Sequence, residues 1–415
     1  MKFDIESKGM QMKKGIMLVI AVFFMPVIVA GCDGVNTDTS ADNNAGTSAG
    51  TNAGANNLSG DSLLDTADMC TNRDMKQTAD TSEATSIALS GGKDVTITAE
   101  GVYIISGAAT DVTIIVEADD EAKVQLVLDG VSITNQDAPA VYVKSADKVF
   151  ITTVGTNSMK VTGTYVADGD TNLDAAIFSK DDLVLNGTGI LDIVSTQGNG
   201  VTSKDDLKVT GGTVSIDSAL DGLEANDSIR ICGGEITIDT DKDALHAEND
   251  DDDSLGYIYI GAGTLTITAG DDGIRGTSAV QIDGGTIDVK MSVEGIEGTH
   301  IQINDGSISV YATDDGINAT KKSSAYDVLI EINGGNISVT VEGGDVDAFD
   351  ANGNIIINSG TIDITCPTQG MSGPFDADGT AELNGGVVTV NGEVITEIGE
   401  SMMGPGGGMQ PGTKP

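Results

Sequence analysis

From about residue 85 to residue 395 aliphatic residues alternate with Thr, Ser and Asp in runs of four to six, each closed by glycine. A period of two predicts short strands with one buried face. Helical periodicity is missing outside the N-terminus, and residues 62–85 read as a short helix or as no element. Between about 170 and 395 the strands fall into a repeat. A Gly-Gly turn opens one strand, as in Gly211-Gly212-Thr-Val-Ser-Ile, Gly233-Gly234-Glu-Ile-Thr-Ile and Gly284-Gly285-Thr-Ile-Asp-Val. An acid-small-aliphatic turn follows: Asp221-Gly222-Leu223, Asp243-Ala244-Leu245, Asp272-Gly273-Ile274, Glu294-Gly295-Ile296, Asp315-Gly316-Ile317 and Asp347-Ala348-Phe349. From Asn199-Gly200-Val201 the small residue recurs after 22, 22, 29, 22, 21 and 32 positions, the long steps holding inserts near 249–256 and 321–327. A period of about 22 built from short strands and glycine turns predicts an all-β, single-stranded parallel β-helix, a β-solenoid. One coil cannot bury its own apolar side, whereas stacked coils form continuous Val, Ile and Leu columns. The strands of 85–170 are less regular, as expected of a terminal, capping region.

Stacking aligns the turn acids. Asp221, Asp243, Asp272, Glu294, Asp315 and Asp347 form one column, with Asp271, Asp314 and Asp345 before it and Glu224, Glu297 and Asp350 after it. Adjacent coils lie about 4.8 Å apart. Two carboxylates at that distance repel by about 0.9 kcal/mol even at the dielectric of water. Oxygen ligands on flexible turns suit Ca²⁺ better than zinc or copper. The candidate ligands are Asp221, Glu224, Asp243, Asp271, Asp272, Glu294, Glu297, Asp314, Asp315 and Asp347. A second reading stays open, since Asp-Gly is also a common turn pair in which the carboxylate bonds its own backbone and glycine takes positive φ. The run Glu248-Asn249-Asp250-Asp251-Asp252-Asp253 reads as a solvated loop. His246 and His300 read as solvated turn residues.

Composition narrows the function. The 415 residues carry 64 acids and 21 basic residues, a formal charge of −43, which excludes nucleic-acid binding through a basic footprint. There is no Trp, and Tyr and Phe number seven each, so aromatic platforms for neutral glycans are scarce. Four cysteines show no zinc spacing. Cys232 and Cys366 fall in strands and read as small buried apolar groups, with Cys70 left free. Residues 1–31 combine four lysines, the apolar run 16–30 and Val29-Ala30-Gly31-Cys32, the pattern of a secretory signal ending in a lipobox. The expectation is export, cleavage before Cys32, a lipid on Cys32 that attaches the chain to the cell membrane at the cell surface, and a mature charge of −45. Residues 32–61, rich in Asn, Thr, Ser, Ala and Gly, read as a flexible tether, 62–400 as the β-helix domain and 401–415 as a flexible tail.

Val124-Gln-Leu-Val-Leu-Asp-Gly-Val-Ser-Ile, Ala176-Ile-Phe-Ser-Lys-Asp-Asp-Leu, Gly200-Val-Thr-Ser-Lys-Asp-Asp-Leu and the Gly256-Tyr-Ile-Tyr-Ile strand resemble a bacterial family of exported carbohydrate-binding domains with a pectate-lyase-like right-handed parallel β-helix. The likeness covers about residues 80–395. It implies right-handed coiling, calcium sites and binding of plant cell-wall polysaccharide, notably polygalacturonate and cellulose. Since the chain is itself anionic, an acidic polysaccharide needs Ca²⁺ as a bridge. The expected function is therefore calcium-dependent, non-catalytic binding of an acidic, polygalacturonate-like glycan by a monomer, with a neutral glycan as the other candidate partner. Two alternatives stand beside it. A pectate-lyase-type elimination would use Arg275 as base, next to Asp271, Asp272, Glu294 and Glu297; against it, Arg275 and Glu297 would make an ordinary cross-strand ion pair. A calcium-stiffened surface adhesin or spacer would need no glycan.

Overall fold

A computed structural model describes residues 62–344, 346–368 and 372–399. Residues 1–61, 345, 369–371 and 400–415 lie outside it, and with them the signal, lipobox, tether, tail and Asp345. The described residues form strands and no helix, stacked as a β-solenoid of about 11 turns. Pairing is parallel except for the terminal hairpin of Val387–Val390 with Glu393–Ile395 and an isolated antiparallel bridge between Asp168 and Thr171.

One column shows the principle. Val95, Ile114, Val141, Ile177, Val201, Leu223, Leu245, Ile274, Ile296, Ile317 and Phe349 lie in register in successive coils. All but Val95 are fully buried, and Phe375 stacks on Phe349 beyond the last of them, 5.6 Å between ring centroids. Burying such a side chain contributes roughly 1.5–3 kcal/mol, so the stacking of coils, not any single coil, holds the fold. The repeat read from the sequence is the coil, and the 29- and 32-residue steps are loops that leave the register intact.

The two glycine motifs do different work. Gly211-Gly212 and Gly233-Gly234 are bends inside the continuous strands Asp206–Ser218 and Ser228–Thr240, where Gly212 and Gly234 take φ of 82° and 95°, whereas Gly284-Gly285 separates the strands Ile274–Ile282 and Thr286–Met291. The glycines of the acid turns do not have positive φ. Gly222 is required by close approach instead: a Cβ there would lie 2.6 Å from the Ala244 carbonyl oxygen and 2.5 Å from Ile238 Cγ2.

Residues 62–77 hold no helix; they lie as a strap across the outer face of the coils. The Leu63 and Leu64 amides donate to Gln302 and Gln281 (3.0 and 2.7 Å), and Leu64 and Met69 pack with Tyr257 and Tyr259. Arg73 sits over the Phe150 ring, and the buried Asp74 carboxylate lies 3.6 Å from Lys208 and 4.0 Å from Lys148. Cys70 is not free and Cys232 is not a lone thiol: they form a disulfide that fixes the strap to the strand Ser228–Thr240. Sequence reading missed the pair because 162 residues separate its members. Cys366 is a buried free thiol, as expected.

Candidate metal and glycan site

Stacking brings the turn residues into two parallel rows. The first is Asn199, Asp221, Asp243, Asp272, Glu294, Asp315 and Asp347. The second, three residues later and in strand register, is Thr202, Glu224, His246, Arg275, Glu297, Asn318, Asp350 and Asp376. The first-row oxygens of Asn199, Asp221, Asp243 and Asp315 reach beyond their own turn. They accept the amide of the next coil: Asp221 N donates to Asn199 Oδ1 (2.9 Å), Asp243 N to Asp221 Oδ1 (3.1 Å), Asp272 N to Asp243 Oδ1 (2.9 Å) and Asp347 N to Asp315 Oδ1 (2.7 Å). The plain turn reading therefore changes, at these positions, into an inter-coil ladder that uses one oxygen each of Asp221, Asp243 and Asp315.

Second-row side chains pair with first-row ones one coil back. Asn199 donates to Glu224 (2.6 Å), His246 Nδ1 lies 2.9 Å from Asp221, Arg275 Nη1 lies 3.5 Å from Asp243, and Asn318 donates to Glu294 (3.0 Å). The same diagonal sets Glu297 against Asp272, Asp350 against Asp315 and Asp376 against Asp347, acid against acid. Burial, then the charges of Asp243, Glu294 and Glu297, pushes the Asp272 pKa up to about 8. Burial and Glu297 push Glu294 up to about 7. Asp347 and Asp350 are raised to about 7 by burial and then by Asp315 and Asp376.

Three groups bring ligand atoms within 4.8 Å of one another: Asp221, Asp243 and His246; Asp243, Asp271 and Asp272; Asp272, Glu294 and Glu297. Their compensation differs. In the first, His246 supplies the donor; burial lowers its basicity, but Asp221 and Asp243 outweigh that and raise it. His246 is thus no solvated turn residue. In the second, Lys242 pairs with Asp271 (3.2 Å) and Arg275 faces Asp243. In the third, Asp272 is 6 % exposed and faces two further carboxylates, Glu294 and Glu297. Glu294 Oε2 and Asn318 Oδ1 are buried and unpartnered. Buried acceptors without donors are costly. An all-oxygen cluster of this kind fits a hard cation such as Ca²⁺.

The remaining sequence candidates lie elsewhere. Glu224 is held by Asn199, Thr202 and Lys204. Asp314 joins none of the three groups. Asp315 and Asp347 belong to the C-terminal end of the rows, with Asp350 and Asp376. Arg275 and Glu297 face each other as expected, Nε to Oε2 3.3 Å. Of the run Glu248 to Asp253, all but the half-buried Asn249 are exposed. His300 departs from its reading: it is half-buried, with Nε2 unpartnered and its basicity lowered by burial. Sequence reading passed over Lys322, whose Nζ lies 2.5 Å from Glu297 Oε2. It belongs to the 321–327 insert, which is anchored on the other insert by Ser323 donating to the Asp253 carbonyl (2.5 Å). Asn318 was missed because amides were not counted in the acid pattern.

Stacked parallel coils with a polar strip along one side define a β-solenoid protein. The chain matches the family of carbohydrate-binding domain-containing proteins over residues 91–345 and 292–397, and it belongs to that family. A curated relative from Acetivibrio thermocellus, also a carbohydrate-binding domain-containing protein, is 35% identical over 128 residues, 30% of this chain and 45% of the relative. The matched segment thus spans less than half of that relative. Among solved structures, a polysaccharide lyase-like protein from C. thermocellum, a gadolinium derivative, aligns at 23% identity over 77% of this chain and 98% of its own, with a TM-score of 0.41.

Proposed function

We propose that the protein binds an acidic, polygalacturonate-like polysaccharide through Ca²⁺ held on the two rows. The observation that carries this reading is the pair of buried, unpartnered oxygens Glu294 Oε2 and Asn318 Oδ1 in the cluster of Asp272, Glu294 and Glu297. Family membership supports a carbohydrate ligand. Bound there, Ca²⁺ would supply positive charge shared between the protein's carboxylates and those of a uronate chain. Asp272, Glu294 and Glu297 would hold it, with Asn318 as a neutral oxygen. The lipobox before Cys32 supports display of the module on the outside of the cell membrane.

The test is calorimetry of the chain with polygalacturonate at about 1 mM Ca²⁺, the range of extracellular calcium modules, and again in chelator, with ultraviolet absorbance followed for unsaturated product. Heat that needs calcium, without new absorbance, is the expected result. Heat unaffected by chelator would remove the metal from the reading. No heat in either condition would leave a structural solenoid. Rising absorbance would make the protein a lyase, the reading to which Arg275 beside the acid cluster lends itself.

A further inference from the structure

The described basic residues near the third acid group are two, and both lean on the same carboxylate oxygen. Arg275 Nε lies 3.3 Å and Lys322 Nζ 2.5 Å from Glu297 Oε2. Each side chain is 26% exposed, whereas that of Glu297 is 6% exposed. The cations therefore form a layer between the carboxylates and solvent. The grip on Arg275 is poor. Its Nε is buried and makes no well-directed hydrogen bond, and its Nη1 stands 3.5 Å from Asp243. A guanidinium binds a carboxylate best through two parallel N–H donors, an arrangement absent from both contacts. Lys322 arrives on a loop rather than on a coil strand, so its ammonium can move without disturbing the ladder.

We propose that Arg275 and Lys322 are exchangeable counter-ions: a divalent cation on Asp272, Glu294 and Glu297 displaces them, and they then take the carboxylate of an acidic sugar unit. The inference rests on the reading of calcium-mediated glycan binding and deepens it to selectivity. A metal on Glu297 neutralises the charge that holds both cations and repels them. They remain tethered at the solvent edge, with donors turned outward. A uronate carboxylate offers the planar two-oxygen acceptor that a guanidinium suits. A neutral chain such as cellulose offers only hydroxyls. The two residues would then set the preference for acidic over neutral polysaccharide, in a chain whose overall charge opposes it.

The experiment uses the whole chain with Arg275→Gln, Lys322→Met, the double variant, and Arg275→Lys as the charge-preserving control. Calcium affinity is measured without glycan, and polygalacturonate binding at saturating calcium. Loss of competing cations is expected to tighten calcium severalfold. Loss of charge-assisted bonds is expected to weaken polygalacturonate by about tenfold or more, with Arg275→Lys retaining most of it. These opposite movements separate the proposal from a structural role, in which both affinities fall together; a parallel fall overturns it. Unchanged polygalacturonate binding overturns the recognition role while leaving the proposed function standing. If the wild-type chain binds no polygalacturonate, that function fails and recognition with it, and the calcium titrations alone decide the counter-ion role. Should the double variant misfold, Lys322→Met, altered only on its loop, decides.

Discussion

At the scale of single residues, Asp272 concentrates the conflict in the site. It donates its amide to Asp243, so the backbone fixes its place, while its carboxylate faces Glu294 and Glu297. The fold thus imposes the repulsion that a cation would relieve. Replacing the carboxylate by an amide keeps the shape and removes the charge. Asp272→Asn is expected to raise the melting temperature in chelator, or leave it unchanged, and to weaken calcium by about tenfold or more, since ligand charge tunes such sites. Scanning fluorimetry with and without calcium measures both. A variant that lost stability in chelator and kept its calcium response would remove Asp272 from the site.

At the scale of elements, the coil and the strap make separate contributions. The coil depends on close approach at the acid turns. Gly222→Ala would push a methyl group into Ala244 and Ile238 of the neighbouring coil. Overpacking of that kind costs about 1–3 kcal/mol, to be read as a lower denaturation midpoint at unchanged slope. The strap depends on Cys70–Cys232. Removing a native disulfide costs about 2–5 kcal/mol. The paired Cys70→Ser and Cys232→Ser variant should lose stability of that order and expose Tyr257 and Tyr259, which Leu64 and Met69 now cover. Proteolysis near residue 70 and increased tyrosine accessibility would register the release; an unchanged cleavage pattern would mean that the hydrogen bonds and apolar contacts suffice.

At the scale of the whole molecule, charge and pH dominate. Asp205, Asp272, Glu294, Asp347 and Asp350 are raised to about 7 or 8, in each case first by burial and then by neighbouring acids. A carboxyl raised on folding keeps a proton that the unfolded chain has released. Stability then falls as pH rises from the ordinary carboxylate range, about 4, towards the raised values, because the folded state binds more protons. His246 acts in the same direction, since a raised histidine loses its stabilising charge as pH climbs. In chelator the melting temperature should therefore drop between pH 5 and about 8. Calcium should flatten that slope and release protons on binding. A chelated protein equally stable at pH 5 and 8 would contradict this.

The sequence by itself determined the solenoid, because the period is covalent: a Gly-Gly bend and an acid turn every 22 or so residues can bury Val, Ile and Leu only by stacking. It also determined the column of Asp221, Asp243 and Asp272 and the facing of Arg275 with Glu297, since parallel register carries equivalent positions to equivalent places. What only the tertiary structure decided lies between positions that no repeat relates. The Cys70–Cys232 bond, the strap on Tyr257 and Tyr259, and Lys322 delivered by one insert that leans on the other all depend on loops whose paths the repeat does not constrain. The ladder of amides onto Asp221, Asp243 and Asp315 was likewise hidden, because an Asp-Gly pair reads the same whether its carboxylate bonds its own turn or the coil above. A repeating sequence fixes which residues stack, by backbone hydrogen bonding and burial; whether a stacked charge meets a donor, a cation or another charge depends on contacts across coils, and these exist only once the coils are assembled.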